Sequence, residues 1–191
     1  MSTLKVNSII PTAGVPTGGG GGIVQTTVTT KTDTASQSVS GSQNSNDWSL
    51  ESVIKGTITP TSSSSKILVR IMLNVSLDGT AGMHGALARK VGSTETMLVG
   101  DDGNNRSEVT SSTFINNGHS MNAINICYLD SPSTTSAVNY YAKINQMTGG
   151  GATLFLNRSS VDTDSSDGSY ARGLSTVILQ EVSAWLLPCI I

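Results

Sequence analysis

Ile67-Leu68-Val69-Arg70-Ile71-Met72-Leu73-Asn74-Val75-Ser76-Leu77 decides the fold class. Val69, Ile71, Leu73, Val75 and Leu77 form a uniformly apolar set, and the residues between them are mixed. A period of two is what a strand with one face on a core requires. Asp78-Gly79 then supplies a turn. On the upstream side, Pro60 and the run Ser62–Ser65 close a second strand candidate, Val53 to Thr59. Farther upstream, residues 33–49 are rich in Ser, Gln and Asn and read as a loop, with Trp48 and Leu50 anchoring its end. Ile23 to Thr29 is rich in β-branched residues and reads as the first strand.

Downstream, residues 86–91 and 96–100 are spaced to pair as a hairpin across Gly92-Ser93, and residues 101–105 carry a strong turn signal. Further strands are expected at 120–129, 138–146, 152–157 and 174–184. The last is apolar on both faces near its middle, which suits a central strand or a subunit contact. Tyr140 and Tyr141 fall on opposite faces of one strand, so at most one of them is exposed. Gly149-Gly150-Gly151 fits a hairpin turn. No helix stands out. The expectation is an all-β chain, a jelly-roll-like β-sandwich of about eight strands (residues 23–191) preceded by an extended N-terminal arm. An Ig-like sandwich is the alternative.

Composition agrees with this reading. Of 191 residues, 37% are hydrophobic and 13% charged, below the usual globular shares, and Ser, Thr, Gly and Asn fill the difference. A net charge of −2 without a Lys/Arg cluster excludes a phosphate-binding face, so no nucleic-acid partner is expected. No stretch approaches the ~20 apolar residues of a membrane span. Met1 to Asn7 lacks the apolar core of a secretion signal, so synthesis in a cytoplasm is expected. Cys127 and Cys189 lie far apart and read as reduced thiols.

Residues 1–22 read as a separate anchoring arm. Leu4, Val6, Ile9 and Ile10 cannot build a core of their own, Pro11 and Pro16 interrupt regular structure, and Gly18 to Gly22 form a hinge. Such an arm suits docking on the same or another chain; a disordered terminus is the bland alternative. At the other end, Trp185, Leu186, Leu187, Ile190 and Ile191 make a poor free terminus in water and are expected at an oligomer contact.

No catalytic, cofactor or metal site emerges. His84 reads as a loop residue and His119 as a strand-edge residue, and neither sits in a nucleophile motif. The acidic stretch Asp162 to Gly168 has its glycine displaced by one position from a calcium loop and lacks the closing glutamate, so it reads as a polar loop. Neither glycine run ends in the Gly-Lys-Ser/Thr of a phosphate cradle. Glu51, Glu95, Glu108 and Glu181 lie on different segments, so sequence pairs none of them for glycoside hydrolysis.

Several segments, taken in order, resemble virion structural and tail-fibre-like proteins of tailed phages, particularly those of marine cyanobacteria. They are Ser2-Thr3-Leu4-Lys5-Val6-Asn7, residues 58–69 (Ile58-Thr59-Pro60 through Lys66-Ile67-Leu68-Val69), residues 129–136, and Leu156-Asn157-Arg158-Ser159 with the Asp-rich loop that follows. The resemblance implies a virion location, an N-terminal part attached to other capsid or tail proteins, and an exposed β domain that trimerises. It offers no catalytic residue. Because the chain has no coiled-coil heptads or long repeats, a knob, head fibre or capsid decoration fits as well as a tail fibre. The alternative within the resemblance is a tip module binding a host receptor or glycan through loops 101–119 and 158–173.

Overall fold

A computed structural model describes residues 22–40, 48–101, 106–147, 150–164, 166 and 170–183. Within them lie twelve strands: β1 Ile23–Lys31, β2 Ala35–Val39, β3 Trp48–Ser49, β4 Gly56–Ile58, β5 Lys66–Leu77, β6 Ala81–Val91, β7 Thr94–Leu98, β8 Ser111–Ile115, β9 Asn122–Asp130, β10 Val138–Gln146, β11 Ala152–Leu156 and β12 Ser175–Val182. All pairings are antiparallel.

The twelve strands occupy eight lanes. β11 and β12 share one edge of β5, at Val75–Leu77 and Lys66–Met72. Their outer neighbours β2 and β1 likewise continue one another. β9 takes the other edge of β5. In the second sheet β3 and β4 share one edge of β10, β6 takes the other, and β8 and β7 divide the far edge of β6. Numbered along the chain, the lanes run 1-8-3-6 in the first sheet and 2-7-4-5 in the second. That order interleaves two Greek keys. The chain folds as a jelly roll.

The period-two reading of β5 holds: Ile67, Val69, Ile71, Leu73, Val75 and Leu77 are all buried in the core between the sheets. The facing sheet contributes Ile58, Met83, Leu87, Ile115, Val138, Tyr140 and Ile144. β12 lies centrally, between β1 and β5, which explains its apolar middle. The expected hairpin is present, with Val91 opposite Thr94 and a turn through Gly92 at φ +57°, a conformation glycine adopts without strain. At Gly56 a Cβ would stand 2.7 Å from Val177 across the sandwich, so only glycine lets β4 approach β12.

Two lanes are spliced by side chains where the chain leaves and re-enters the sheet. In lane 8 the chain departs after Asn157 (φ +62°) and returns at Ser175. Asn157 is fully buried; its Nδ2 donates to Lys31 O at 2.9 Å and Asp33 O at 3.0 Å, bracing the bend between β1 and β2. Ser175 Oγ donates to Asn157 Oδ1 at 2.6 Å and accepts from Asn74 N at 3.1 Å, so the ladder continues across the gap. In lane 5 the Thr110 hydroxyl donates to Leu98 O at 2.7 Å and accepts from Leu87 N at 2.8 Å. Buried backbone groups must find partners, and here side chains supply them.

One end of the sandwich is tied by charge. Asp130 is 4% exposed; both its oxygens accept from Arg89 NH1, at 2.8 and 3.0 Å, and Tyr140 Oη donates to Oδ2 at 2.7 Å. The clasp joins β9 of one sheet to β6 and β10 of the other.

Glu181 is fully buried and held by neutral donors: Gln25 Nε2 at 2.6 Å, Thr61 N at 2.8 Å, Thr61 Oγ1 at 2.7 Å and the Ser65 hydroxyl. Burial pushes its carboxyl up, but these hydrogen bonds together outweigh burial and hold it below its ordinary value of 4.5. A depressed folded value contributes stability above the unfolded value, and that stability is lost as pH falls through the folded one. Melting temperature measured down through the carboxylate range is therefore expected to fall less steeply in Glu181→Gln than in the native chain. An identical slope would contradict this role.

Several expectations need correction. Residues 35–39 form a strand, because β11 offers its edge and covers the polar run Ser36-Gln37-Ser38 with backbone pairing. His84 is not in a loop but mid-strand in β6, paired with Asn145 and Ser112. His119 is not at a strand edge but in the turn between β8 and β9. The chain around Gly150-Gly151 makes no hairpin, since β10 and β11 belong to different sheets. Tyr140 and Tyr141 do point to opposite faces, and both are fully buried. A 3₁₀ turn, Leu50–Ser52, precedes β4. Among the described residues no helix is long and apolar enough to cross a membrane.

Candidate functional site

The excursion of lane 8, residues 158–174, builds a cleft on the surface of the sandwich. Its neck is closed by the Arg158–Arg172 bridge, by Gly173 N donating to Asn157 O at 3.0 Å and by Ser159 N donating to Ala171 O at 3.1 Å. Arg158 lies 4.1 Å over the Phe155 ring and donates to Ser159 O and Ser160 O, which fixes the direction in which the excursion leaves.

Beyond the neck the excursion leans on the β8–β9 turn. Ser160 N and Oγ both donate to Gly118 O, at 2.9 and 2.7 Å, and the Tyr170 and His119 rings meet with centroids 5.4 Å apart. Between its two limbs is a cavity of about 420 Å³ lined by Val161, Asp162, Thr163, Asp164, Tyr170, Ala171 and Arg172. Arg172 grips Asp162 through both carboxylate oxygens, at 2.8 and 2.9 Å. The cleft thus presents an aromatic ring, an exposed guanidinium and two carboxylates, a set suited to hydroxyl-bearing or polar ligands. The loop read as polar therefore spends Asp162 on a counter-charge. Among the described residues no cluster of three or more His, Cys, Asp or Glu is arranged to hold a metal ion.

The four glutamates weighed for hydrolytic chemistry separate into three settings, with Glu108 exposed between β7 and β8. Glu181 faces the interior. Glu51 and Glu95 come together on the outward side of the second sheet around Tyr141, where Lys90 Nζ donates to both Glu51 oxygens at 2.8 Å and Lys143 binds Glu95. Tyr141 Oη donates to Glu95. Burial pushes the Glu95 carboxyl up, and its bonds to Lys143 and Tyr141 outweigh that and hold it below the ordinary range. Burial, reinforced by Glu95, pushes the Tyr141 hydroxyl well above its usual value. Each carboxylate already has a lysine partner, so the group covers Tyr141 as an ion network. His84, beside it on the same sheet face, has its basicity lowered by burial.

The anchoring residues Leu4, Val6, Ile9 and Ile10 and the contact residues Trp185, Leu186, Leu187, Ile190 and Ile191 lie outside the described residues, as do Asp167 and Gly168. The cleft residues Tyr170 and Arg172 lie in the 158–173 loop proposed for binding, but neither was singled out within it. The only sequence signal was an aromatic and an arginine closing an Asp-rich loop, and their link to Asp162 and His119 depends on the excursion's fold.

No protein-family model matches the chain, and no curated protein matches it. Among solved structures it is similar to that of infectious bursal disease virus Gx strain, with 13% identity and a TM-score of 0.38 over 91% of this chain and 44% of that one. It is also similar to the T13 viral particle of the same virus (11% identity, TM-score 0.39, 84% of this chain and 38% of that one). A third is the VP2 subviral particle of infectious bursal disease virus (9% identity, TM-score 0.37, 84% and 40%). This chain spans less than half the length of those chains.

Proposed function

We propose that the chain is a virion structural protein: a trimeric exterior appendage, such as a short fibre, knob or capsid decoration, attached to the particle by residues 1–22. The observation that carries this reading is the lane order 1-8-3-6 and 2-7-4-5, a fold shared by viral capsid proteins and also by lectin domains and cupins. Fold alone is analogy. The low charge, the apolar segments at both ends of the sequence and the resemblance to tailed-phage appendages narrow it.

Antibodies raised against the chain are expected to label the outside of intact particles encoded with it, on head or tail. Labelling confined to the soluble lysate would overturn the reading. Within the assembly Trp185, Leu186, Leu187, Ile190 and Ile191 form the contact between copies. Deletion of residues 185–191 is accordingly expected to convert trimer to monomer on a sizing column with light-scattering detection; an unchanged trimer with unchanged melting would exclude that contact.

A second reading, a tip module that binds a host glycan, is favoured by the Tyr170–Arg172 cleft. Retention on host envelope fractions that is lost in Tyr170→Ala, with melting unchanged, would separate it from a purely architectural role.

A further inference from the structure

The outward side of the first sheet is uncovered, and its composition is unusual for a free surface. Reading across the lanes, its rows are Thr26, Gln180, Leu68 and Leu129; then Val28, Ile178, Arg70 and Cys127; then Thr30, Thr176, Met72 and Asn125. Val28 is 60% exposed, Met72 46%, Leu129 49%, and Leu174, just before β12, 51%. Lys66 and Arg70 are the charges on these strands' outward positions, and no carboxylate accompanies them. Half of these twelve positions are apolar, interleaved with threonines and the central Arg70, and large apolar side chains left exposed together on one side of a sheet mark a candidate interaction site.

The chain itself carries a segment of matching chemistry. Residues 184–191, Ala-Trp-Leu-Leu-Pro-Cys-Ile-Ile, have no charged side chain and follow β12 after Ser183. Fully extended they span ~26 Å, the length of the face from the row of Leu174 to that of Val182. β12 runs past the face before it ends: the rows of Ile178, Thr176 and Leu174 lie behind the exit point at Val182. To cover its own face the chain would have to reverse at once, yet Ser183 N still donates to Gly22 O at 3.1 Å and residues 184–187 contain no Gly, Asn, Asp, Pro or Ser to turn it. A segment that continued the line of β12 would meet a neighbouring copy rather than its own face. A closed ring of identical subunits needs two unlike, complementary patches on each chain, and the face and the segment are such a pair.

We infer that the outward side of the β1–β12–β5–β9 sheet receives residues 185–191 of a second copy of this chain. The inference rests on the assembly reading above and names the surface that the contact residues meet. Cys127 lies on the face, directly opposite Arg70, and is a free, exposed thiol; Cys189 lies in the segment. The two native cysteines therefore report on the contact.

The test is to treat the full-length protein, its mass first measured by light scattering, with a short bismaleimide. Denaturing gels and peptide mass spectrometry then read the linkage. Covalent oligomers joining Cys127 of one copy to Cys189 of another are expected, and Cys127→Ser and Cys189→Ser should each abolish them. Met72→Glu, on the exposed face, is expected to reduce linkage about tenfold with melting unchanged, because it places a charge against apolar residues. A Cys127–Cys189 link within one chain would assign the segment to its own face and overturn the inference. So would an oligomer in which no such link forms, and that result leaves the assembly reading standing. A monomer by light scattering would overturn both.

Discussion

Asn157→Leu is expected to destabilise the fold by about 3–5 kcal/mol, one of the two largest effects expected of a single change at a polar residue. Three hydrogen bonds end on this fully buried side chain, to Lys31 O, Asp33 O and the Ser175 hydroxyl. Leucine leaves those partners in an apolar space, at about 1–3 kcal/mol for each group left unsatisfied. The backbone adds to the cost, because φ +62° is a region asparagine tolerates and leucine does not, a difference of about 1–2 kcal/mol. Asn157→Gly separates the two contributions: it relieves the backbone but still loses the hydrogen bonds, so it should fall between native and leucine. The check is chemical denaturation with a two-state fit. A loss below ~1 kcal/mol for leucine would mean that the lanes close without the splice. At about 2–4 °C per kcal/mol for a chain of this size, the expected loss also lowers the melting temperature by roughly 6–20 °C.

Arg89→Met is expected to cost about 3–5 kcal/mol by a different route. It leaves the Asp130 carboxylate, 4% exposed, with only the Tyr140 hydroxyl as partner. Breaking a buried ion pair from one side costs far more than the pair itself contributes, because the remaining charge is stranded. The signature is therefore non-additive. Asp130→Asn in the Arg89→Met background should recover part of the loss, whereas Asp130→Asn alone should be destabilising. Additive losses in the double-mutant cycle would contradict coupling through this clasp. Tyr140→Phe is the milder control, at about 1–2 kcal/mol.

The jelly roll was legible in the sequence where one residue type alternates with another. β5, the β6–β7 hairpin and β10 each show the period or the turn that a half-buried strand requires. What stayed hidden was set by pairing. Ser36-Gln37-Ser38 has no apolar alternation, and it is a strand because β11 pairs with its backbone. His84 lies beyond the Ala86 start expected for its strand because Asp78-Gly79 permits β6 to begin at Ala81, and glycines at 82 and 85 mask the extension. The two splices were invisible for a related reason. Asn157 and Thr110 look like turn residues, yet each restores a ladder whose two halves are separated by an excursion. The same excursion explains the cleft: Arg172 and Asp162 are ten residues apart in sequence and meet only because the neck at Asn157 brings the two limbs together. Both terminal segments were singled out by their apolar residues, and they are what the assembly proposal depends on.

The most direct test of that proposal is the absolute mass of the full-length protein in solution, by light scattering on a sizing column. The account predicts three times the 19.7 kDa chain mass, unchanged over a wide dilution range. A stable monomer at every concentration would contradict self-assembly and leave a lone jelly roll whose partner must be another protein.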